Sequence, residues 1–208
     1  MSRNAYLLGK RCVDILLSAS ALAVLAPTLA VIAIVIRLHE AGPVLFWQPR
    51  VGKDGRIFRL AKFRTMSPGL ADVGELDTSS WVDGVPDDFV FKTAHSSAHR
   101  VTPIGRRLRR TSLDELPQLL NVLAGDMSLV GPRPEIVPIV ERYSAEQRQR
   151  LSMKPGLTGW AQVTGRDKHD HGHKMAADRY YVQHASMQLD LQILVRTVWV
   201  ALRGREAY

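Results

Sequence analysis

The chain has 208 residues, which is enough for one domain or for a small domain with a membrane element. Its single cysteine, Cys12, excludes an internal disulfide framework and fits a reducing compartment. The formal net charge of +8 indicates an anionic partner, whether nucleic acid, anionic lipid or a phosphorylated substrate. Charge alone does not choose among these three.

The N-terminal region contains a long apolar segment, residues 15–36, with 22 residues and no charged side chain. That length is enough for a helix to cross a membrane. It is too long for the apolar core of a signal peptide, and no small-residue cleavage site follows it. Burial on all sides is the alternative in a soluble protein, but a domain of this size rarely provides it. Pro27 lies near the middle of the segment, where a proline bends a helix.

Both flanks of this segment are basic. They contain Arg3, Lys10 and Arg11 before it, and Arg37, Arg50, Lys53, Arg56 and Arg59 after it. The positive-inside rule keeps such flanks in the cytoplasm, and a single crossing would leave one of them on the far side. We therefore predict that residues 1–40 form a re-entrant membrane element that turns back at Pro27. A cytoplasmic globular domain over residues 41–208 follows it.

The strongest chemical signal lies in residues 106–135, RRLRRTSLDELPQLLNVLAGDMSLVGPRPE. Four arginines precede the adjacent carboxylates Asp114 and Glu115, and leucines at helical spacing follow. The capping-box pattern of Ser112 and Glu115 predicts a helix that starts at Ser112, with an irregular first turn at Pro117. Carboxylates flanked by cations suit a phosphate centre held by arginine and a divalent ion. Taken alone, SLDEL also fits a capped helix with solvated arginines.

Two turn-rich segments add basic residues. Within GPRP, residues 131–134, two prolines fix the backbone around Arg133. KPGLTGWAQVTGR, residues 154–166, ends at Arg166. Its glycines allow the backbone to approach a phosphate or a base closely, and a purely structural cluster of turns is the alternative.

These motifs together resemble the signature of the bacterial sugar transferases, the monotopic phosphoglycosyl transferases. The resemblance rests on the long string above, on KFRTM (residues 62–66), on KPGLTGWAQVTGR, on DRYYVQHASMQLDLQIL near the C-terminus and on the apolar segment. It implies a mixed α/β fold with a small catalytic domain. It also implies a re-entrant N-terminal helix and interfacial amphipathic helices at the bacterial inner membrane.

In this family a phosphosugar passes from a UDP-sugar to a membrane polyprenyl (undecaprenyl) phosphate, and UMP is released. The product initiates a glycoconjugate such as capsule, exopolysaccharide or O-antigen. The resemblance implies that Asp114 is the nucleophile of a covalent aspartyl-phosphosugar and the protein contact of Mg²⁺, and that Glu115 is the base. It also implies a set of basic phosphate- and nucleotide-binding residues: Arg109, Arg133, Arg166, Lys62 and Arg64.

Four other segments are less specific. Residues 67–98 form an acidic insert that predicts a mobile surface loop or, alternatively, a wall of the sugar pocket. Residues 167–173 contain three histidines, but no second cluster completes a metal site, which favours a loop. The apolar stripe of residues 188–203 predicts a core-facing helix or one in the membrane interface. Ser144 and Gln147 form a second capping-box pattern.

Two other functional classes compete with the enzyme. A membrane-anchored nucleic-acid-binding protein would explain the charge but not the acidic pair, and the sequence has no zinc or aromatic-rich RNA motif. We therefore expect no nucleic-acid partner. A scaffold without catalysis would keep the fold, but the acidic pair is intact. GWAQVTGR resembles family members that act on N-acetylated or amino sugars more than glucose or galactose enzymes, and this resemblance implies such a sugar. The pathway has no sequence signal, and a homodimer is left open.

Overall fold

The computed structural model describes residues 3–39, 41–67, 78, 81–90, 100–164 and 170–202. It confirms the mixed α/β class. The α-helices are α1 (Arg3–His39), α2 (Pro103–Arg110), α3 (Gln118–Ala124), α4 (Val137–Glu141), α5 (Trp160–Thr164), α6 (His171–His184) and α7 (Met187–Leu202). The strands are β1 (Leu45–Val51), β2 (Ile57–Phe63), β3 (Ser128–Val130) and β4 (Gly156–Thr158), and the 3-10 helices are Lys53–Gly55, Leu113–Glu115 and Gln147–Ser152.

The strands form two small sheets. β1 and β2 make an antiparallel hairpin in which Val51 lies opposite Ile57. β3 and β4 make a parallel pair in which Val130 lies opposite Thr158. An isolated bridge between Val51 and Glu135 links the end of β1 to the segment that follows β3. The two sheets therefore meet at the GPRPE segment.

α1 is one continuous helix of 37 residues that contains Pro27. Its most apolar window satisfies the length and composition of a membrane helix, and only 11% of that window is buried. This low burial argues against a helix enclosed on all sides by a soluble core. Buried residues occur on both sides of Pro27, from Tyr6 to Ile36. The re-entrant path stays a prediction.

The helix packs on the domain through two hydrophobic clusters. Near its N-terminus, Tyr6 joins a cluster with α3, β3 and α7 that includes the fully buried Val122 and Ile193. Near its C-terminus, Ile36 packs in a second cluster to which Leu113 also belongs. Because Leu113 precedes Asp114, the acidic turn lies beside the end of α1.

Residues 81–90 of the acidic insert form a surface loop of turns and bends that packs on the domain. Trp81 is 8% exposed and packs with Val85 in a hydrophobic cluster under α4 and α6. The carbonyls of Asp87 and Phe89 accept hydrogen bonds from backbone N–H groups at the start of α6. The predicted loop is therefore anchored here by Trp81 and Val85, while Val82 is 87% exposed. Its mobility and its place beside a sugar pocket stay predictions. Apart from residues 67 and 78, the rest of the insert lies outside the described residues.

The histidine segment and the C-terminal stripe are both helical. Asp170 caps α6 by accepting from the His173 N–H, so the loop prediction is wrong from His171 onward, while His169 lies outside the described residues. In α7, Ile193 is fully buried whereas Val195 is exposed. α7 therefore has a core-facing side, as one of the two alternatives predicted, and an exposed apolar side. Its place in the membrane interface stays a prediction.

Candidate active site

The adjacent carboxylates lie on the 3-10 helix Leu113–Glu115. Ser112 precedes it in the left-handed conformation, with φ of 56°, and its side chain makes no capping hydrogen bond. The α-helix begins only at Gln118, after Pro117. The predicted capping box at Ser112 is therefore wrong, because Pro117 delays the helix and Glu115 binds cations instead. The predicted irregularity at Pro117 is confirmed.

Glu115 is the centre of an ion cluster. Lys62 Nζ lies 3.0 Å from Glu115 Oε1, and Arg133 donates to both carboxylate oxygens at 3.1 and 2.5 Å. Such a bidentate pair fixes the geometry of both planar groups. Burial opposes ionisation of Glu115, but Arg133 and Lys62 outweigh it and hold the pKa of Glu115 well below its usual range. Burial lowers the pKa of Lys62, against the effect of Glu115.

The pKa of Asp114 is shifted in the opposite direction from that of Glu115. It is 8% exposed, and within the described part of the chain its carboxylate forms no ion pair. Burial and the neighbouring charge of Glu115 raise the pKa of Asp114, while Lys62 and Arg109 partly offset the rise. The two neighbours therefore differ in environment: one carboxylate is held by cations, and the other is buried without an ion pair to any described residue.

Arg109 reaches this turn through α2. Thr102 caps α2, and Arg109 Nε donates to Thr65 Oγ1 at 2.9 Å. A Cβ on Gly105 would lie 2.0 Å from the Thr65 carbonyl oxygen, so only glycine allows this close docking. Arg64 is arranged differently. Its guanidinium donates to the Ala41 carbonyl at 3.0 Å, which ties the end of β2 to the chain after α1.

The backbone of residues 132–135 is held in place by hydrogen bonds. Each carbonyl accepts one hydrogen bond: Pro132 from Gly156 N (2.9 Å), Arg133 from Arg150 Nη2 (2.7 Å), Pro134 from Arg50 Nη1 (3.1 Å) and Glu135 from Val51 N (3.0 Å). The two prolines restrict the same stretch. The backbone of Arg133 is therefore fixed while its side chain reaches Glu115.

The glycines of residues 154–166 have a structural explanation where they are described. A Cβ on Gly156 would lie 2.1 Å from the Gly131 nitrogen, and a Cβ on Gly159 would lie 2.2 Å from the Gly131 oxygen. These glycines allow backbone to pack on backbone behind Arg133, as the structural alternative predicted. Arg166 lies outside the described residues.

Sequence reasoning missed three supporting residues. Asn121 Oδ1 accepts from Ala61 N at 2.9 Å and Asn121 Nδ2 donates to the Arg59 carbonyl at 2.7 Å, which locks α3 to the strand that carries Lys62. A polar residue within the apolar run LLNVL is a signal that could have identified it. Arg150 and its partner Asp178 have no comparable local signal.

The chain matches the family model described as bacterial sugar transferase over residues 5–204. It is 42% identical over 200 residues to the exopolysaccharide production protein PSS of Rhizobium leguminosarum bv. phaseoli, covering 91% of this chain and 92% of that one. It is 37% identical over 205 residues to the UDP-N-acetylgalactosamine-undecaprenyl-phosphate N-acetylgalactosaminephosphotransferase of Aeromonas hydrophila, covering 96% and 45%.

A third relative is the UDP-glucose:undecaprenyl-phosphate glucose-1-phosphate transferase of Escherichia coli K12. It is 38% identical over 207 residues, covering 96% of this chain and 41% of the relative. The chain spans less than half the length of several curated relatives that it matches. The match to the family model nevertheless covers nearly the whole chain. The protein belongs to the bacterial sugar transferase family.

Proposed function

We propose that this protein transfers a sugar-1-phosphate from a UDP-sugar to undecaprenyl phosphate, with release of UMP, through a covalent aspartyl-phosphosugar. The observation that carries the proposal is the buried Asp114 carboxylate, which forms no ion pair with any described residue, beside the Glu115–Lys62–Arg133 cluster. The reactions named for two relatives, which use undecaprenyl phosphate as acceptor, support it.

Asp114 is the nucleophile in this proposal. Its carboxylate oxygen bonds to the β-phosphorus of the UDP-sugar, the bond from that phosphorus to the bridging oxygen breaks, and UMP leaves. An oxygen of undecaprenyl phosphate then attacks the same phosphorus and releases the Asp114 carboxylate. Covalent storage lets a soluble and a membrane-bound substrate react in turn. The burial of Asp114 supports this role, because a desolvated carboxylate is more reactive than a solvated one.

The cations bind the phosphates. Arg133 presents a planar fork from a fixed backbone, and such a fork donates to two phosphate oxygens at once. We assign the same class of contact to Lys62, Arg109 and Arg166, and keep Arg64 as a support of the strand end. The lowered pKa of Glu115 makes it a weak proton acceptor, so its contacts favour holding Arg133 and Lys62 over the base role that the family resemblance implies.

Mg²⁺ fits the donor set. Among the described residues no group of three or more histidine, cysteine or acidic side chains could hold a metal ion. Mg²⁺ needs only one or two protein carboxylates when phosphates supply further oxygens, and Asp114 provides one. The unfavourable charge of Glu115 on Asp114 is relieved by an added cation. We propose Asp114 as the main contact; when bound, the ion disperses phosphate charge.

We further propose that the protein sits at the bacterial inner membrane with the catalytic domain in the cytoplasm. The apolar and poorly buried α1 supports the membrane location. The acidic turn lies beside the end of α1 through Leu113, which suits an acceptor that is itself a lipid. The sugar stays a prediction, since the relatives named above include both N-acetylgalactosamine and glucose enzymes.

The test is UMP release from a panel of UDP-sugars by purified protein with undecaprenyl phosphate. Without acceptor, we expect a burst of UMP that matches the enzyme concentration, together with a trapped phosphosugar adduct. Asp114→Asn should lose the adduct and turnover, while Glu115→Gln still accumulates adduct. Asp54→Asn is the matched control, because Asp54 is exposed and lies in the β1–β2 turn. Near-normal UMP release by Asp114→Asn would overturn the proposal.

A further inference from the structure

We infer that Arg150, held by Asp178, is a positioning residue that sets the direction of Arg133. The inference rests on the proposed function, in which Arg133 binds substrate phosphate. Arg150 lies in the 3-10 helix Gln147–Ser152 and is 3% exposed, and Asp178 of α6 is 1% exposed. Neither side chain contacts Asp114 or Glu115, so any effect on the reaction passes through Arg133.

The guanidinium of Arg150 has three partners. Its Nε and Nη2 donate to Asp178 Oδ2 at 2.9 and 2.5 Å, and its Nη1 donates to the Tyr143 hydroxyl at 2.9 Å. Its Nη2 also donates to the Arg133 carbonyl at 2.7 Å. The two bonds to Asp178 therefore orient the fork, which delivers one N–H group to Arg133.

The Arg133 carbonyl is the point where this contact has most effect. Pro134 confines Arg133 to extended backbone but leaves a range of ψ angles open. The hydrogen bond from Arg150 selects one orientation of the carbonyl within that range. The peptide before Arg133 is held separately, since the Pro132 carbonyl accepts from Gly156 N. Arg150 thus fixes the remaining freedom of the backbone that carries the Arg133 side chain.

The chemistry of the pair fits a positioning role better than a role in stability. Replacing a fully buried ion pair by apolar residues is often neutral or stabilising, because both charges are desolvated. A planar fork, in contrast, is needed to reach Asp178 and a backbone carbonyl together. Shifts of about 1 Å in a group that orients the reacting phosphate can cost about a hundredfold in rate.

Arg150→Lys is the informative substitution. The ammonium keeps a positive charge beside Asp178 but lacks the fork that joins Asp178 to the Arg133 carbonyl. Tyr143→Phe is the matched control, because it removes the Tyr143 contact of Arg150 and leaves the contact with Arg133 in place. If Arg150→Lys does not fold, Arg150→Met/Asp178→Leu replaces it, since this variant removes the donor to the Arg133 carbonyl without leaving a buried charge unpaired.

The experiment is a double-mutant cycle on kcat/KM for UMP release, with Arg133→Gln, Arg150→Lys and the double variant, and unfolding midpoints in parallel. We expect Arg150→Lys to lower kcat/KM about 10- to 100-fold. The double variant should be no slower than Arg133→Gln alone, because Arg150 acts through Arg133. Tyr143→Phe should keep kcat/KM within about twofold of the wild type even where its midpoint falls.

If the fold-losses of kcat/KM from the two single variants multiply in the double variant, the inference is overturned while the proposed function stands. An equal loss of kcat/KM in Tyr143→Phe and Arg150→Lys at matched unfolding midpoints would do the same. An Arg133→Gln protein with unchanged kcat/KM would instead overturn the role of Arg133 in the proposed function, and the inference with it. The wild type, the three variants of the cycle and Tyr143→Phe therefore distinguish the two failures.

Discussion

The two halves of α1 contact the same domain through different chemistry. The buried positions before Pro27 are polar or charged, and those after it are aliphatic: Tyr6, Lys10, Asp14 and Ser18, then Ile32 and Ile36. Polar contacts need partners at defined distances and angles, whereas apolar contacts are non-directional. The first half is therefore docked in one position, and the second half is held mainly by exclusion of water.

The first half is centred on Asp190 of α7. Lys10 Nζ lies 2.8 Å from Asp190 Oδ2, and both side chains are buried. The hydroxyls of Tyr6 and Tyr181 donate to the same carboxylate at 2.9 and 2.7 Å. The Tyr181 hydroxyl also lies 3.2 Å from the Val130 carbonyl, one residue before the GPRPE segment. The N-terminal half of α1 is thereby joined to the strand that leads into the candidate active site.

The second half has no such network among its described contacts. Ile32 and Ile36 pack against Phe63 and Leu108, and the opposite side of the helix is exposed, with Leu38 at 77%. Lipid tails are as apolar as these side chains, so exchanging protein contacts for lipid contacts costs little. The second half of α1, together with the exposed side of the helix, is therefore the part that a bilayer can take up.

The largest effect is expected from Lys10→Met. It leaves Asp190 buried and without its cation, which should destabilise the protein by about 3–5 kcal/mol. The measurement is denaturant unfolding in detergent micelles. The double variant Lys10→Met/Asp190→Asn is the control and should recover part of the loss, because no charge is then buried and the amide can still pair with the Tyr6 and Tyr181 hydroxyls. A single variant that loses under about 1 kcal/mol would contradict a docked first half.

Asp14→Ala should come next, with a loss of about 1–3 kcal/mol. Asp14 Oδ1 accepts from the Ser128 hydroxyl and from Leu129 N, and the substitution leaves that buried N–H without its acceptor. Ser18→Ala is the control one turn along the same face. Among the described residues the buried Ser18 hydroxyl has no hydrogen-bond partner, so its removal should leave the unfolding midpoint unchanged or raised. Equal losses in the two variants would contradict specific polar docking.

Ile36→Val should have a smaller effect, about 0.5–1.5 kcal/mol, since it removes one buried methylene from the second half. Leu38→Val is the control at an exposed position two residues later. In the same unfolding assay, Ile36→Val should be only slightly less stable than Leu38→Val. A loss for Ile36→Val that exceeds the loss for Asp14→Ala would reverse the order of the two halves.

The sequence predicted the parts of the structure that have local signals. The uncharged run predicted α1, the apolar stripe predicted α7, and the Ser144–Gln147 capping box is confirmed by reciprocal hydrogen bonds of 3.1 and 3.2 Å. The motifs also selected Lys62 and Arg133, which the fold brings to Glu115. The assigned roles of these residues stay predictions, but their proximity is now an observation.

The rest depended on contacts between distant residues. The box at Ser112 failed because two cations, from positions 62 and 133, compete for the Glu115 side chain that the local pattern assigned to the cap. Lys10 was counted with a basic flank, although Asp190, 180 positions later, pairs with it. Periodicity reports which face of an element is apolar. It does not report which distant polar group meets a charge on that face.

The smallest expected effect is the fraction of molecules in which a substitution changes the path of α1 through the membrane. As a straight helix α1 would extend about 55 Å, enough to cross a bilayer. Its C-terminal end stays with the domain because the chain continues directly into β1. Its N-terminal end is held to the same domain by Lys10 and Asp190. A spanning helix would have to break that buried pair, so we predict that both ends stay on the cytoplasmic face and that α1 re-enters.

Single cysteines at Asn4 and His39, in a Cys12→Ser background, test this topology, since all three positions are exposed. Both should resist an impermeant thiol reagent on intact cells and react once the cells are opened. A proline costs about 3 kcal/mol inside a straight helix, so Pro27 favours a bend. Pro27→Ala removes this preference. It should expose only a minor fraction of Asn4→Cys, because the Lys10–Asp190 pair still holds that end. Adding Lys10→Met should enlarge the fraction. Full labelling of Asn4→Cys in intact cells without either substitution would mean that α1 crosses the membrane and that the polar docking does not survive there.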